Sequence, residues 1–218
     1  MRILTTLFFV ASFFPTMLHA QSTTYDGITF PQGDSSFADS VVSYDPLFGG
    51  GPVPTNPNFT DQSAAIGPPD YTGGSNGTGS VALGEGGRIV LRFEDNALTG
   101  SNDDSEDLQI FEVGLFVQAT LVDISVDGIN FLSVGEVSGA TSSIDIDPFL
   151  SAANIAPSTQ FFFVRLTDNI PTGSDPGNTT GADIDSVGAV SSVSVPELSL
   201  IQSPSPRDQR GSRMPSSA

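Results

Sequence analysis

The stretch SVDGINFLSVGEV, residues 125–137, decides how the chain is read. A polar Asp127-Gly128 pair interrupts a run of alternating apolar residues. Upstream lies a long β-rich region, QIFEVGLFVQATLVDISV, residues 109–126. Within it Val117, Ala119 and Leu121 share one phase, and Val122, Ile124 and Val126 share the other. The slip between Leu121 and Val122 predicts a bulge or a bend, because strand residues alternate between faces. Asp-Gly between two such runs predicts a tight hairpin, since both residues tolerate a left-handed backbone.

Working outward, the same texture recurs in short pieces. SVALGEGGRIVLRFEDNAL (80–98) reads as two strands around a turn at Gly84-Glu85-Gly86-Gly87. FADSVVSYDP (37–46) holds one strand, FFFVRLTD (161–168) another, and GADIDSVGAVSSV (181–193) the last. TSSIDID (141–147) reads as a strand or a loop. The segment GGGPVPTNPNFTD (49–61) is a loop on its Gly and Pro content. No helical period lasts more than two turns. Many short strands with frequent turns predict an all-β sandwich of jelly-roll type. Its expected apolar face comprises Val81, Ile89, Leu91, Phe93, Ile110, Phe111, Leu121, Ile124, Phe131, Phe162, Val164, Leu166 and Ile184.

The ends read differently. Residues 1–20 carry Arg2, a mostly apolar stretch and a small residue, Ala20, before Gln21. That is the layout of a cleaved secretory signal peptide, and the apolar run is short for a membrane span. Residues 21–194 form the expected single domain. Residues 195–218 contain many Ser and Pro with three arginines, and read as a disordered tail. No membrane insertion of the mature chain is expected. Three Asn-x-Ser/Thr sites, at Asn58, Asn76 and Asn178, matter only in a eukaryotic secretory route.

Composition narrows the chemistry. The net charge is −18, so phosphate backbones and anionic membrane surfaces are repelled and nucleic acid is not an expected partner. There is no Cys and no Lys, and the one His is His19 in the leader. Ser-His and Cys-His nucleophiles and His/Cys zinc sites are therefore unavailable to the domain. Carboxylate-pair chemistry remains possible, with a thin supply of aromatic sugar platforms. In the loops these are Tyr44, Phe48, Phe59 and Tyr71.

Calcium makes better use of the acids, because it takes six to eight oxygen ligands. Three acidic places stand out. Asp103, Asp104, Glu106 and Asp107 lie in one loop that lacks the glycine of an EF-hand. Asp145 and Asp147 are separated by two, as are Asp183 and Asp185, a spacing that puts both members on one face of a strand. Asp104, Asp107, Asp183 and Asp185 are the candidate calcium ligands, with Asn169, Asp175 and Asn178 in the loop before the last pair.

Taken in order, FADSVVSYDP, AIGPPDYTGG (65–74), GSVALGEGGRIVLRF (79–93), DLQIFEVG (107–114), TLVDISVDGINFLSVGEV (120–137), FFFVRLTD and GADIDSVGAV resemble one family across residues 34–190. It is that of bacterial exported cell-surface proteins associated with PEP-CTERM sorting signals. The Asp-Gly hairpin followed by FVRL is also similar to discoidin-like, galactose-binding-type modules. The resemblance implies a non-catalytic binding module that takes carbohydrate or another envelope component through loops at one end, with a structural calcium. The alternatives are a purely structural extracellular domain and a carboxylate-dependent glycan-active enzyme. Val195-Pro196-Glu197 is similar to the start of a sorting signal, but Leu198 stands where that signal has Pro, and no apolar span follows. Ligand and oligomeric state are not legible in the residues.

Overall fold

The computed structural model describes residues 21–73, 77–114, 117–169 and 177–195. The expected leader (1–20), the tail from residue 196 and Asp175 lie outside the described residues. In chain order the strands are β1 (Thr23–Tyr25), β2 (Ile28–Phe30), β3 (Ser40–Asp45), β4 (Val81–Ala82), β5 (Arg88–Arg92), β6 (Asn96–Leu98) and β7 (Leu108–Glu112). There follow β8 (Ala119–Ser125), β9 (Leu132–Ser138), β10 (Thr141–Ile144), β11 (Phe163–Asp168), β12 (Asp183–Ala189) and β13 (Ser192–Ser194). Among the described residues one short α-helix, α1 (Asp147–Ala152), stands between β10 and β11.

Two antiparallel sheets form a sandwich, as the strand pattern predicts. One has the order β3-β5-β11-β8-β9 and the other β10-β7-β12-β4. The chain crosses between the sheets at almost every step, which is jelly-roll connectivity. The small pairs β1-β2 and β6-β13 close the sides.

Alternation explains the core. Ile89 and Leu91 of β5, Val164 and Leu166 of β11, and Val122 and Ile124 of β8 have no exposed surface. They meet Val81, Leu108, Ile110, Ile184 and Val187 of the other sheet in one cluster. Each such side chain contributes about 1.5–3 kcal/mol on burial. A second cluster lies on the outer side of the four-stranded sheet, where Phe30, Phe37 and Phe111 pack together under the β1-β2 hairpin. The Phe30 and Phe37 rings lie 4.5 Å apart between centroids. Gly188 makes this possible, because a Cβ there would strike both rings.

Four core expectations need correction. Phe111 is buried, but in this second cluster. Leu121 is 38% exposed on the outer face of the five-stranded sheet, because the even-numbered residues of β8 face inward. Phe131 and Phe162 are only partly buried, and Phe131 lies over the guanidinium of Arg165. The expected slip at Leu121-Val122 is absent as well. β8 runs straight, and the irregularity belongs to β9, where Val122 opposes Gly135 and Asp123 opposes Ser133. Val134 is the extra residue.

The Asp-Gly hairpin is present, but its loop spans residues 126–131 rather than two. Asp127 organises it. Its carboxylate accepts from Ile129 N at 2.9 Å and from Asn130 N and Nδ2 at 2.8 Å. These bonds hold its pKa well below the usual carboxylate range. Gly128 follows with a φ of +72°.

The glycine-rich turn at 84–87 joins strands of different sheets. It is a corner and not a hairpin. Gly84 and Gly86 have φ of +83° and +71°, and a Cβ on Gly87 would overlap the Leu83 carbonyl. The buried carboxylate of Asp168 fastens the corner, accepting from Gly86 N at 2.8 Å and Ala182 N at 2.9 Å.

Near this corner lies Glu112, which is buried and accepts from Gln118 N at 2.7 Å. Burial pushes its pKa up to about 8, and the charge of Asp168 adds to the shift. Between its ordinary value and about 8, the folded chain holds a proton that the unfolded chain has released, so stability falls as pH rises through that window. Glu112→Gln should therefore melt higher than the parent at pH 8 and with it at pH 4; an equal offset at both pH values would show that the carboxyl is not protonated by the fold. Leu91→Ala should cost about 2–5 kcal/mol in chemical denaturation and Leu121→Ala well under 1, a contrast that checks which face of each strand is inward.

Candidate metal centre

Two of the three acidic places meet at one end of the sandwich. Asp107 enters β7, and β10 runs antiparallel to β7, so the chain leaving β10 returns to the same place. Asp107 N donates to Ile144 O at 3.0 Å. Asp145 and Asp147 follow at once. They do not lie on a strand, as their spacing predicts. The strand stops at Ile144, and Asp147 begins α1 with Pro148 next, a residue suited to a first helical turn.

Each carboxylate is oriented by backbone donors. Asp107 has no exposed surface; one oxygen accepts from Ser101 N at 2.7 Å and the other from Ile146 N at 2.9 Å. Asp147 Oδ2 accepts from Asn102 N at 2.5 Å and Ser101 Oγ at 3.2 Å. Asp145 Oδ1 accepts from Asp147 N at 2.9 Å. One oxygen from each of Asp107, Asp145 and Asp147 lies within 4.8 Å of the other two. Among the described residues this is the one group of three or more potential ligands placed so closely. The three could hold a metal ion.

The electrostatics favour a cation there. Burial raises the pKa of Asp107 to about 6 against the pull of its backbone donors, and Asp147 raises it further. The two ion pairs among the described residues, Arg92–Glu94 and Arg165–Asp123, are elsewhere. Asp147 Oδ1 is buried and makes no hydrogen bond. Gly100 leaves it room, since a Cβ there would run into the Asp147 carboxylate. The group opens on a cleft of about 660 Å³ lined by Asn102, Asp103, Asp104, Asp145, Asp147 and Asn154, among others. It is an oxygen-only, anionic donor set of the kind that suits a hard divalent cation.

The structure thus divides the candidate ligands. Asp107 is in the cluster, and Asp104 lines the cleft beside it. Asp183 and Asp185 lie on β12 and do not join them. Asp185 accepts from Asp70 N at 3.1 Å, and burial raises its pKa to about 6. Asp183 stands beside Tyr44, whose pKa is pushed up to about 12, by burial first and by Asp183 second. Of the loop residues, Asn178 offers its carbonyl to Thr55 N and Asn56 N, and Asn169 donates to Glu136 at 2.6 Å. Asp145 and Asp147 were visible in the sequence as a pair. Their meeting with Asp107 follows from the pairing of β7 with β10, and no spacing signals it.

Of the aromatics expected in loops, Phe59 is buried, and Tyr44 lies on β3 and hydrogen-bonds the Ala82 carbonyl at 2.6 Å, so neither is a platform. Phe48 is 51% exposed. No helix among the described residues is long and apolar enough to cross a membrane.

No family model matches the sequence, and no curated protein matches it. Among solved structures the chain is similar to the C-terminal domain of a chitobiase from Bacteroides fragilis. The two share 13% identity with a TM-score of 0.36, over 75% of this chain and 97% of that one. A likeness this distant carries no argument about function.

Asp107→Asn should lower the melting midpoint even in chelator. The amide replaces one acceptor by a donor facing a backbone N–H, a loss of about 1–3 kcal/mol. An unchanged midpoint in chelator would mean that Asp107 does not fasten the loop.

Proposed function

We propose that the chain is a non-catalytic, exported bacterial surface or matrix module that binds carbohydrate or another envelope component, stabilised by calcium at Asp107, Asp145 and Asp147. The observation that carries the calcium reading is the convergence of three carboxylates without a basic partner among the described residues. Uncompensated buried charge is costly, and a bound divalent ion offsets it while tying the loop at 100–107 to the start of α1. Backbone carbonyls and water would complete the coordination. The binding reading rests on the family resemblance and on the domain's lack of His, Cys and Lys. Export rests on the leader-like residues 1–20.

A purely structural domain is the second reading. It is favoured by the fact that both oxygens of Asp107 are already engaged with backbone donors.

Thermal melts of the full chain with calcium and with chelator test the proposal. An ion at 100 times its dissociation constant adds about 2.7 kcal/mol, which for a domain of this size is about 5–11 °C. Asp145→Asn and Asp147→Asn should remove the response, and Asp183→Asn and Asp185→Asn should keep it. No shift in the parent chain would remove calcium from the reading. Binding across a panel of purified exopolysaccharides separates the module from the structural domain.

A further inference from the structure

β7 (Leu108–Glu112) has a carboxylate at each end. Asp107 stands just before its first residue, in the cluster described above, and Glu112 is its last residue, at the opposite end of the sandwich. Leu108 and Ile110 face the core, so Glu112 faces it too. Val164 and Leu166 place Asp168 of β11 inward in the same way, and Val122 and Ile124 place Thr120 of β8 inward. Asp168 and Thr120 stand opposite one another in the β11-β8 register. Gln118 N, just before β8, donates to Glu112 Oε1 at 2.7 Å. Both sheets thus send polar side chains inward at this end, and Glu112, Asp168 and Thr120 are 3%, 4% and 1% exposed.

The charges that face inward here are of one sign. Asp168 acts on Glu112, and the other ionisable groups of the elements packed around them point away. Asp183 of β12 alternates with the core residue Ile184, and Glu136 of β9 is exposed. Glu85 of the corner lies against Gly51. Asp123 and Arg165 pair on the outer face of the five-stranded sheet, where alternation with Ile89 also places Arg88. A second negative charge between the sheets would face no cation among the described residues, so the closed end accommodates one carboxylate and one carboxylic acid. Thr120 Oγ1 is buried without a hydrogen bond. Where the centre of the sandwich has Ile, Leu and Val, this end has polar groups. It therefore adds little apolar burial and opens at lower cost than the centre.

Backbone donors converge on these groups and their neighbours. Asp168 holds Gly86 N and Ala182 N, Glu112 holds Gln118 N, and Val113 N donates to Asp183 O at 2.9 Å. The end of β7, the approach to β8, the corner at 84–87 and the start of β12 are therefore tied at one place. We propose that Glu112 and Asp168 form a proton-held latch: with Glu112 protonated this end is closed, and when Glu112 gives up its proton the tied segments part as a unit while the centre of the sandwich stays folded. The opened end returns Glu112 to water and to its ordinary acidity. Rising pH therefore favours opening, by about tenfold per pH unit between that ordinary value and the value of about 8 that the closed end imposes. The latch is independent of the calcium reading, since Asp107 lies at the far end of β7.

Hydrogen exchange of the full chain, in chelator and between about pH 6.5 and about pH 7.5, tests this. Asp107 and Asp185, raised to about 6, titrate mainly below that window. With intrinsic exchange divided out, the protection of the Gly86, Val113, Gln118 and Ala182 amides should fall about tenfold across it. That protection should change little in low urea, whereas the amides of the β5-β11-β8 ladder should show the full urea dependence of global unfolding. Glu112→Gln keeps a neutral side chain at every pH and should abolish the fall. Protection independent of pH in the parent chain would mean that opening releases no proton, and the latch would be wrong. A fall that carries the full urea dependence would make the opening global and overturn the proposal too. The same fall in the Glu112→Gln chain would assign the proton to another group and remove Glu112 from the latch. The first two outcomes are read on the parent chain and stand even where the variant does not fold.

Discussion

Buried aspartates accepting backbone N–H groups hold the ends of this sandwich together. Asp168 takes Gly86 N and Ala182 N, and so joins the corner between the sheets to the start of β12. Asp107 takes Ser101 N and Ile146 N, joining the acidic loop to the turn before α1. Asp185 takes Asp70 N and, with Ser186 Oγ donating to Gly67 O, holds the segment at 67–70 against β12. A carboxylate accepting two backbone donors satisfies groups that a buried loop would otherwise leave orphaned. In a chain without cysteine, these clamps do locally what disulfides do in disulfide-rich domains. They also have a cost, since a buried carboxylate resists ionisation, and the raised pKa values of Asp107 and Asp185 record it.

That constraint explains how charge is distributed. Acids are drawn inward wherever loops need acceptors, and at one end three of them meet. The cations among the described residues, Arg88, Arg92 and Arg165, are all placed on the outer face of the other sheet, where phenyl rings and neighbouring side chains orient them. A protein of net charge −18 thus has two chemically distinct surfaces, an oxygen-lined cleft and a sheet face that bears these arginines. The fold separates them because β7 and β10 belong to one sheet and β5 and β11 to the other.

Much of the architecture was legible because alternation is a local property. Ile89, Leu91, Val164, Leu166 and Ile124 declare their face by spacing two, and the structure buries every one. The misreadings arose where a second surface competes for apolar residues. Phe111 looks like core and is buried, yet it faces the opposite way, because the β1-β2 hairpin supplies Phe30 and Phe37 to cover it. Phe131 looks like core and instead covers an arginine. Hydrophobicity says that a ring seeks shelter; it does not say which neighbour provides it.

By itself, the sequence determined the all-β class, the hairpin at Asp127-Gly128, the absence of any cysteine ligand or nucleophile, and the acidic stretches from which an oxygen site could be built. All of these depend on composition or on residues within a few positions of one another. Only the tertiary structure decided that Asp107 meets Asp145 and Asp147 while Asp183 and Asp185 stand apart, and that Arg88, Arg92 and Arg165 share a face with three phenyl rings. Those outcomes depend on which strands pair and in what register. Strand pairing is set by the burial of whole sheet faces against one another, an interaction between segments far apart in the chain that no local spacing records.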